Sequence, residues 1–427
     1  MAERTYLCID LKSFYASVEC VDRGLDPMTA HLVVADPERS EGTICLAVSP
    51  ALKALGVPNR CRVFQIPKDI PYIMAPPRMR RYIECSAEIY GVYLRWLAPE
   101  DIHVYSIDEA FLDVTHYLKL YRKTPKEMAL TLMGAISEHV GVRSTCGIGT
   151  NLYLAKIALD ILAKHAPDFI GELDEESYRE KLWEHQPLTD FWRIGRGVAG
   201  RLKSHGIRTM GQIARADEEV LYRLFGIDAE LLIDHAWGRE PTTIADIKAY
   251  QPKSNCLTSG QVLMSDYDFD SGKLVFREMV DQICLDMVAK NVVTDSLSVY
   301  IGYARQYRAA PAKGTVTLPF KTNGDSVVIP AAMDLYDRVV DPRREIRRLN
   351  LCCNNIMPDD GVRQPSLFDD GPDDEKLRRN HELQKTVIDL KDRFGKNTIL
   401  KAMDLTEGAT AMERNNQIGG HKSGEKT

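Results

Sequence analysis

Two adjacent carboxylates, Asp108 and Glu109, interrupt an otherwise apolar run over residues 104–114. The β-branched, aromatic and aliphatic residues of that run favour a strand. Neighbouring acids in an apolar strand are costly unless a cation neutralises them. A second site of this kind opens the chain, where the short apolar run 5–9 ends at Asp10. Three carboxylates at strand ends suit a pair of Mg²⁺ ions, because Mg²⁺ takes a few carboxylates and leaves its other positions for phosphate and water.

The elements that must position these acids alternate between strand and helix. The hydrophobic patterns predict strand 5–9, helix 13–20, strands 32–35 and 43–48, helices 50–55 and 78–97, the acid-bearing strands, helix 128–140, strand 144–148 and helix 152–165. Asn151 suits the N-cap of the last helix. Such a β-α-β-β-α-β order is typical of a ferredoxin-like palm, which here carries an insertion punctuated by prolines.

A chain of 427 residues is too long for one core, and the patterns beyond the palm predict further parts. Residues 178–239 are helical by pattern, and the polar stretch 239–251 predicts a linker. Residues 253–357 alternate strands and helices, which indicates a separate α+β domain. After Pro358 we expect an acidic, flexible segment, one amphipathic helix over 373–394 and a disordered end.

Composition and charge narrow the class of protein. The chain is 44% apolar and 27% charged, without an apolar run of membrane-spanning length or a signal-peptide pattern, so we expect a cytoplasmic protein with no membrane partner. Ten cysteines without a Cys-x-x-Cys pair agree with a reducing compartment. The net charge is −6, yet residues 191–215 hold six arginines or lysines and no acid, which favours local binding of phosphate.

The order of the acidic motifs points to a family. Asp10 is followed by Phe-Tyr-Ala-Ser-Val-Glu over 14–19, and the acid pair lies in Ile-Asp-Glu-Ala-Phe-Leu-Asp over 107–113. Together these runs resemble the Y-family, or UmuC/DinB-like, translesion DNA polymerases, and the resemblance extends over residues 1–357. Details of the motifs and the extended tail look like the UmuC-type branch of Gram-positive bacteria.

The resemblance implies an α+β multidomain fold. Its parts would be a ferredoxin-like palm (1–25 and 77–165), small fingers (26–76), a helical thumb with a helix-hairpin-helix (166–240), a linker (241–252), a separate α+β little-finger domain (253–357) and a flexible clamp-binding tail (358–427). It also implies a template-directed, low-fidelity DNA polymerase that copies past damaged bases. Primer-template DNA and deoxynucleoside triphosphates would be its partners, and we expect a monomer.

The resemblance implies catalytic roles for Asp10, Asp108 and Glu109. Together with the backbone carbonyl of Leu11, these residues would hold two Mg²⁺ ions. One ion would lower the pKa of the primer 3′-hydroxyl, and the other would hold the triphosphate and neutralise the departing pyrophosphate. Asp113, close by in the sequence, is expected to have a structural role.

The same resemblance assigns nucleotide contacts to Phe14, Tyr15, Ser49, Lys53 and Lys156. Tyr15 resembles the family's steric gate, an aromatic ring beneath the sugar that leaves no room for a 2′-hydroxyl, whereas Phe14 fits a core position at least as well. Ser49 and Lys53 fall in a run similar to the fingers segment that grips the β- and γ-phosphates. A solvated helix lysine is the alternative for Lys53. Lys156 matches the family's palm lysine, although a plain polar helix face would show the same four-residue repeat.

Contacts with the DNA backbone are assigned to Arg193, Gly195, Arg196, Gly197, Lys203 and Lys253. The first five lie in the run 191–207, which resembles a helix-hairpin-helix whose glycines let backbone N–H groups approach a phosphate. A glycine-rich helix turn is the plainer alternative, but the acid-free basic run favours DNA bound without sequence readout. Lys253 opens a run similar to the first strand of the little finger.

A short peptide beyond the polymerase-like region, Gln364-Pro-Ser-Leu-Phe368, matches the Q-x-x-L-F pattern by which bacterial polymerases dock on the sliding clamp. In that mode Leu367 and Phe368 enter an apolar pocket while Gln364 forms hydrogen bonds at its edge. Acidic pairs flank the peptide on both sides and keep it solvated. The sequence therefore predicts the sliding clamp as a partner.

Two other classes of protein remain open on the sequence alone. One is a catalytically weak, clamp-tethered DNA-binding factor that regulates polymerase access, and the three intact acids argue against it. The other is a nucleotidyl cyclase with a related palm, which the basic hairpin and the clamp-like peptide disfavour. Primer extension with Mg²⁺ separates these classes from a polymerase.

Overall fold

The structure is a computed structural model that describes residues 4–252, 255–361 and 374–424. The chain forms two compact units, one of Met1–Tyr250 with Lys422–Thr427 and the other of Gln251–His421. Within the described ranges, no helix is both long and apolar enough to cross a membrane. Four predicted contact residues lie outside these ranges: Lys253, Gln364, Leu367 and Phe368.

The first unit carries the predicted acids. In chain order its elements are β1 (Tyr6–Leu11), α1 (Phe14–Val21), β2 (Leu32–Val34), β3 (Ala47–Val48), α2 (Pro50–Ala54), β4 (Ile73–Ala75), α3 (Met79–Tyr93), β5 (Ile102–Val104), β6 (Glu109–Asp113), α4 (Thr115–Tyr121), α5 (Pro125–Val140), β7 (Ser144–Gly149), α6 (Leu152–Ile157), β8 (Ile170–Leu173), α7 (Glu175–Leu182), α8 (Arg196–Ser204), α9 (Met210–Ala214), α10 (Glu218–Phe225), α11 (Asp228–Ala236) and α12 (Ile244–Ala249). A π-helical turn at Ala158–Leu162 prolongs α6. The predicted α+β class is confirmed.

Five strands form the palm sheet in the order β5-β6-β1-β7-β8. The central strand β1 is antiparallel to both β6 and β7, while β7 and β8 are parallel. Leu7, Cys8 and Ile9 in β1 are fully buried, as expected for an apolar strand with neighbours on both sides. The ferredoxin-like palm predicted from the element order is confirmed.

Three glycines let α6 and its π-helical turn lie directly against this sheet. A Cβ atom on Gly147 would stand 2.0 Å from the carbonyl oxygen of Ala155, and one on Gly149 would stand 2.2 Å from the Ala155 nitrogen. On β8, a Cβ on Gly171 would stand 2.4 Å from the carbonyl oxygen of Ala158. Since no larger residue fits, these glycines fix the distance between the sheet and the helix that carries Lys156.

The fingers are small. Their sheet has three short strands in the order β3-β2-β4, and a core of eight buried residues fills the space between it and α2. The thumb is helical, as predicted, and the aromatic residues Tyr153, Tyr178 and Phe191 lie in its core.

The predicted linker over 241–252 differs from the structure, because α12 occupies the middle half of it. The Thr243 side chain caps this helix by accepting the Asp246 N–H at 3.2 Å. Ile244 is only 2% exposed and packs into the palm core beside Tyr6 and Phe111. A polar stretch with one well-placed apolar residue thus docks on the palm, and the second unit begins at Gln251.

The second unit is a five-stranded antiparallel sheet, in which the short strand β13 pairs with β10, and it has helices on one face. Its elements are β9 (Leu257–Tyr267), α13 (Phe269–Ala289), β10 (Val292–Tyr303), β11 (Ala312–Thr322), α14 (Asp325–Val339), β12 (Ile346–Asn354), β13 (Met357–Pro358), α15 (Asp374–Phe394), α16 (Ala411–Asn415) and β14 (Gln417–Ile418), and β15 (His421–Lys422) follows them. The sheet order is β11-β10-β12-β9. Leu297, Val299 and Ile301 of β10 point into the core formed with α13 and α14, which leaves the opposite face open.

The expectation of a flexible tail over 358–427 is wrong for residues 374–424. The predicted amphipathic helix is present as α15, and the residues after it pack onto acids of the second unit. Lys401 forms ion pairs with Asp281 and Asp325, the latter at 3.2 Å. Glu278, which is 2% exposed, accepts the Thr410 N–H at 3.0 Å. These acids supply partners that composition alone does not reveal.

Candidate active site

The register of the palm sheet brings the predicted acids to one end of two strands. Asp10 on β1 lies directly opposite Glu109 on β6, so their side chains share one face of the sheet. The N–H of Leu11 donates to the carbonyl oxygen of Asp108 at 2.9 Å, which ties the next residue to the same edge. Asp10, Leu11, Asp108 and Glu109 therefore lie together.

Asp10 has a partly buried carboxylate whose pKa is strongly raised. Among the described residues, no hydrogen bond or ion pair reaches its side chain; Thr145 Oγ1 donates only to its backbone carbonyl, at 3.3 Å. Burial raises the pKa of Asp10 to about 7; Lys164 opposes this rise, and the charges of Asp108 and Glu109 add to it. An ionised Asp10 is thus costly until a cation approaches it.

Glu109, in contrast, is already neutralised. The Nζ atom of Lys156 lies 2.8 Å from its carboxylate, and the Cys8 thiol donates to Glu109 Oε1 at 3.2 Å. Lys156 is also 3.1 Å from Asp160. Burial lowers the pKa of Lys156, but Cys8, Glu109 and Asp160 outweigh burial and raise it overall. The ammonium of Lys156 thus contacts two carboxylates, and its predicted contact with a phosphate stays a prediction.

Three other lysines lie on the Asp10 side of the site. Lys53 has a pKa lowered by burial, although Asp10 opposes that change and Lys164 adds to it. Lys12 has a pKa lowered by burial and by Lys53, and its ammonium lies 3.8 Å from the centre of the Phe169 ring. Because each of these charges acts on the others and on Asp10, they form one cationic cluster, here called the lysine cluster (Lys12, Lys53 and Lys164).

Two members of the lysine cluster, Lys12 and Lys164, were not among the predicted site residues. Lys12 could have been found, since it lies two residues after Asp10 at the end of an apolar strand. Lys164 follows the π-helical turn at Ala158–Leu162, which hydrophobic spacing does not predict, and its placement depends on that turn. Lys164 Nζ lies 2.8 Å from Asp160.

Tyr15 lies beside the acids, and Phe14 does not. Phe14 is 3% exposed and belongs to the core, as the plainer interpretation held. The Tyr15 ring stacks on Tyr82 with centroids 4.5 Å apart, and the Tyr82 hydroxyl donates to the buried carboxylate of Glu19 at 2.7 Å. Burial raises the pKa of Tyr15, and the negative charge of Asp108 raises it further, so Tyr15 senses this carboxylate.

Ser49 has a structural contact that accounts for its presence. Its side-chain oxygen accepts the N–H of Leu52 at 3.4 Å and the N–H of Leu32 at 3.1 Å. It is therefore the N-cap of α2 and joins this helix to the fingers sheet. The helix so capped carries Lys53 in its last turn.

The predicted helix-hairpin-helix exposes its backbone. Gly195 is the N-cap of α8, and a Cβ atom on Gly195 or Gly197 would meet nothing within 4 Å. Arg193, Arg196 and Lys203 are exposed around it. A nine-residue helix that starts at bare glycines and carries cations suits an anionic backbone.

The donor set at the sheet end fits a divalent cation by type. Carboxylate oxygens are the ligands Mg²⁺ prefers, and among the described residues no hydrogen bond or ion pair occupies the side chain of Asp10. The side chains are not gathered as a metal centre, however: the described part of the chain contains no group of three or more His, Cys, Asp or Glu in that arrangement. The carboxylate of Glu109 is instead engaged in the ion pair with Lys156.

Comparisons with known proteins agree on one family. Residues 9–160 match the impB/mucB/samB family, and residues 261–367 match the C-terminal domain of that family. UvrX of Bacillus subtilis, whose name gives it a proposed role in UV-damage repair, is 32% identical, and the alignment covers 98% of each chain. A protein named DNA polymerase IV 2 from Halalkalibacterium halodurans is 30% identical, with 98% of this chain and 99% of the relative covered.

A solved structure gives the same answer for the fold. The Y-family DNA polymerase chimera Dbh-Dpo4(243-245)-Dbh superposes with a TM-score of 0.66 at 20% identity, covering 83% of this chain and 99% of the chimera. The chain therefore belongs to the impB/mucB/samB family and is a DNA-directed DNA polymerase of the UmuC/DinB-like Y-family.

Proposed function

We propose that this polymerase extends primers past damaged template bases and that Asp10, Asp108 and Glu109 are its catalytic acids. The observation that carries the proposal is the cross-strand placement of Asp10 and Glu109, with Asp10 left uncompensated beside the lysine cluster. A buried acid with a pKa of about 7 favours a site that is completed by cations and a polyanionic substrate.

Two Mg²⁺ ions held by these carboxylates and the Leu11 carbonyl would lower the pKa of the primer 3′-hydroxyl and neutralise the departing pyrophosphate. Lys156 fixes the position of the Glu109 carboxylate through a 2.8 Å ion pair. Asp108 accepts a hydrogen bond from Ser106 Oγ at 2.7 Å, which orients its side chain in the loop before β6.

The lysine cluster binds the triphosphate. Burial lowers the pKa values of Lys12 and Lys53 because it removes water from their ammonium groups. A phosphate oxygen that approaches them would replace the lost hydration with a charge-assisted contact. Lys164 exchanges its exposed contact with Asp160 for a phosphate, since a pair of this kind contributes only about 0.3–0.5 kcal/mol. Lys156, which pairs with Glu109 at 2.8 Å, is a further proposed contact of the triphosphate.

Tyr15 excludes ribonucleotides, as its resemblance to a steric gate implies. The stack on Tyr82 and the buried Glu19 beneath it, which Arg78 Nε also contacts at 2.8 Å, leave the Tyr15 ring little freedom to move away. A rigid ring next to the acids discriminates against an additional 2′-hydroxyl by steric exclusion.

Tolerance of damaged templates follows from the small fingers. A three-stranded sheet and the five-residue helix α2 offer little surface for closing on the nascent base pair. Weak closure gives weak geometric checking, which lowers fidelity on intact DNA and permits extension opposite an altered base. A role in UV damage, proposed in the name of UvrX, is consistent with this proposal.

Primer-template DNA is held by the thumb hairpin and by the open face of the second unit's sheet. On that face Lys313 lies 5.6 Å from the Tyr300 ring and Arg348 is exposed. Such contacts bind phosphate without reading sequence. The clamp peptide at Gln364, Leu367 and Phe368 would tether the monomer to a sliding clamp.

Extension of a primer on an undamaged template and on one with a pyrimidine dimer tests the proposal. The wild type should extend both primers with Mg²⁺, and the double variant Asp108→Ala–Glu109→Ala should extend neither. The variant Glu175→Ala–Glu176→Ala removes the same charge from an exposed acid pair on α7 and should behave as wild type. Extension by the Asp108–Glu109 variant at the wild-type rate would remove these acids from the catalytic set.

A further inference from the structure

The loop between β5 and β6 carries Asp108 and is anchored at its start. Its four residues, 105–108, turn tightly, because the N–H groups of Tyr105 and Ser106 both donate to the carbonyl oxygen of Glu109, at 2.9 and 3.0 Å. The Asp108 N–H in turn faces Ser106 Oγ at 3.3 Å. Only two residues separate Tyr105 from Asp108 in this hydrogen-bonded turn, so a displacement of Tyr105 should also displace Asp108.

A thumb residue holds that side chain. Trp192 Nε1 donates to the Tyr105 hydroxyl at 3.1 Å, and the two rings meet edge to face with centroids 5.9 Å apart. Phe111 on β6 lies against both, with centroids 5.6 Å from Tyr105 and 6.1 Å from Trp192. Tyr105 is 45% exposed, so this contact is directional and is not the result of burial in a core.

Trp192 is also part of the proposed DNA-binding hairpin. The Arg193 guanidinium lies 5.0 Å from the Trp192 ring, and the Arg193 backbone has a φ of +69°, which turns the chain sharply toward Gly195. Gly195 opens α8. One tryptophan thus lies next to the backbone that would contact a DNA phosphate and is bonded to the loop that carries a catalytic acid.

We propose that the Trp192–Tyr105 hydrogen bond is a positioning link between the grip of the thumb on the DNA backbone and the placement of Asp108. DNA bound at the hairpin fixes Trp192, Trp192 fixes the Tyr105 hydroxyl, and the tight loop then holds Asp108 at the end of the sheet. Tyr105 is accordingly a positioning residue that acts through Asp108. This inference rests on the proposed catalytic role of Asp108.

A double-mutant cycle of Tyr105→Phe and Trp192→Phe tests the link. Tyr105→Phe removes one hydroxyl and keeps the ring, and it should lower the single-turnover rate of nucleotide addition about two- to tenfold, the range of one neutral hydrogen bond. In the Trp192→Phe background the same change should have no effect. The dissociation constant for primer-template DNA without nucleotide should stay within about twofold of wild type in Tyr105→Phe.

A matched control uses another tyrosine hydroxyl of the palm. Tyr121 donates to the carbonyl oxygen of Trp96 at 2.9 Å, and Tyr121→Phe should leave the rate unchanged. Independent effects of the two changes in the cycle would overturn the link. So would weaker DNA binding caused by Tyr105→Phe alone, since the hydroxyl would then contact DNA itself.

Hydrogen exchange of the 105–109 amides gives a readout that needs no catalysis. Primer-template DNA should slow this exchange in the wild type and in Asp108→Ala–Glu109→Ala, but not in Trp192→Phe. Protection that persists in Trp192→Phe contradicts the link even if the enzyme is active. A wild type that shows this protection but extends no primer would contradict the proposed function and leave the link standing.

Discussion

Replacement of Asp10 by Asn should stabilise the metal-free protein, and more so at high pH. Burial raises the pKa of Asp10 from its ordinary value of 3.8 to about 7, so the folded state holds a proton that the unfolded chain has released. For an acid with a raised folded pKa, stability falls as the pH rises through the window between the two values. The window here runs from pH 3.8 to about 7.

The magnitude follows from the two pKa values. Each pKa unit corresponds to 1.36 kcal/mol, so at pH 8 the ionised Asp10 costs the metal-free fold about 4 kcal/mol. At pH 5.5 the cost is about 2 kcal/mol, because the side chain is still mostly protonated in the folded state. An Asn of the same shape has no such cost. The stability gained by Asp10→Asn should therefore be about 2 kcal/mol larger at pH 8 than at pH 5.5.

Denaturant unfolding of both proteins at the two pH values, with a chelator present, measures this difference. Addition of Mg²⁺ at pH 8 should then stabilise the wild type and not the variant, since only the wild type gains a ligand for its ionised acid. Asp174→Asn is the matched control, because it removes an exposed charge and keeps an N-cap for α7. An equal gain at pH 5.5 and pH 8 would falsify the assignment of Asp10 as a buried, uncompensated acid.

Four further predictions concern substrate, fold and partner. Tyr15→Ala should raise ribonucleotide incorporation about tenfold or more in primer extension, and unchanged sugar discrimination would refute the gate. Lys164→Ala should weaken nucleotide binding about tenfold, as expected for a charge-assisted contact, in titrations with a dideoxy-terminated primer. Gly149→Ala should destabilise the fold by about 3 kcal/mol in denaturant unfolding, because its Cβ would stand 2.2 Å from backbone. Leu367→Ala–Phe368→Ala should abolish association with a sliding clamp in gel filtration, while primer extension without the clamp is kept.

The palm was predictable because its patterns are local. Alternating apolar residues mark β1 and β6, and an antiparallel pair of strands that ends in acids brings Asp10 and Glu109 together once the register is set. The proline and glycine signals around the fingers and the thumb hairpin are equally local. The structure contains these elements because they depend on local sequence and not on contacts with residues far away in the chain.

Features that depend on distant partners were not predictable. The polar composition of 241–252 suggests a linker, yet a single contact of Ile244 with the palm core turns it into a docked helix. The end of the chain looks disordered, yet buried Glu278 and the acids around Lys401 order it. The ion pair of Lys156 with Glu109 likewise joins residues 47 positions apart in the chain, so spacing alone does not reveal it.

The two facing acids are compensated unequally, and this inequality makes the proposed site depend on cations and nucleotide. Lys156 compensates Glu109, so one of the facing carboxylates adds little repulsion to the metal-free state. Asp10 forms no ion pair among the described residues. In the lysine cluster, Lys164 has an ion pair with Asp160, and this exposed pair stabilises it only weakly. Cations bound at Asp10 would neutralise its negative charge, and a triphosphate bound at the lysine cluster would neutralise the positive charge there. Binding of metal and nucleotide should therefore be cooperative, with each raising the affinity for the other.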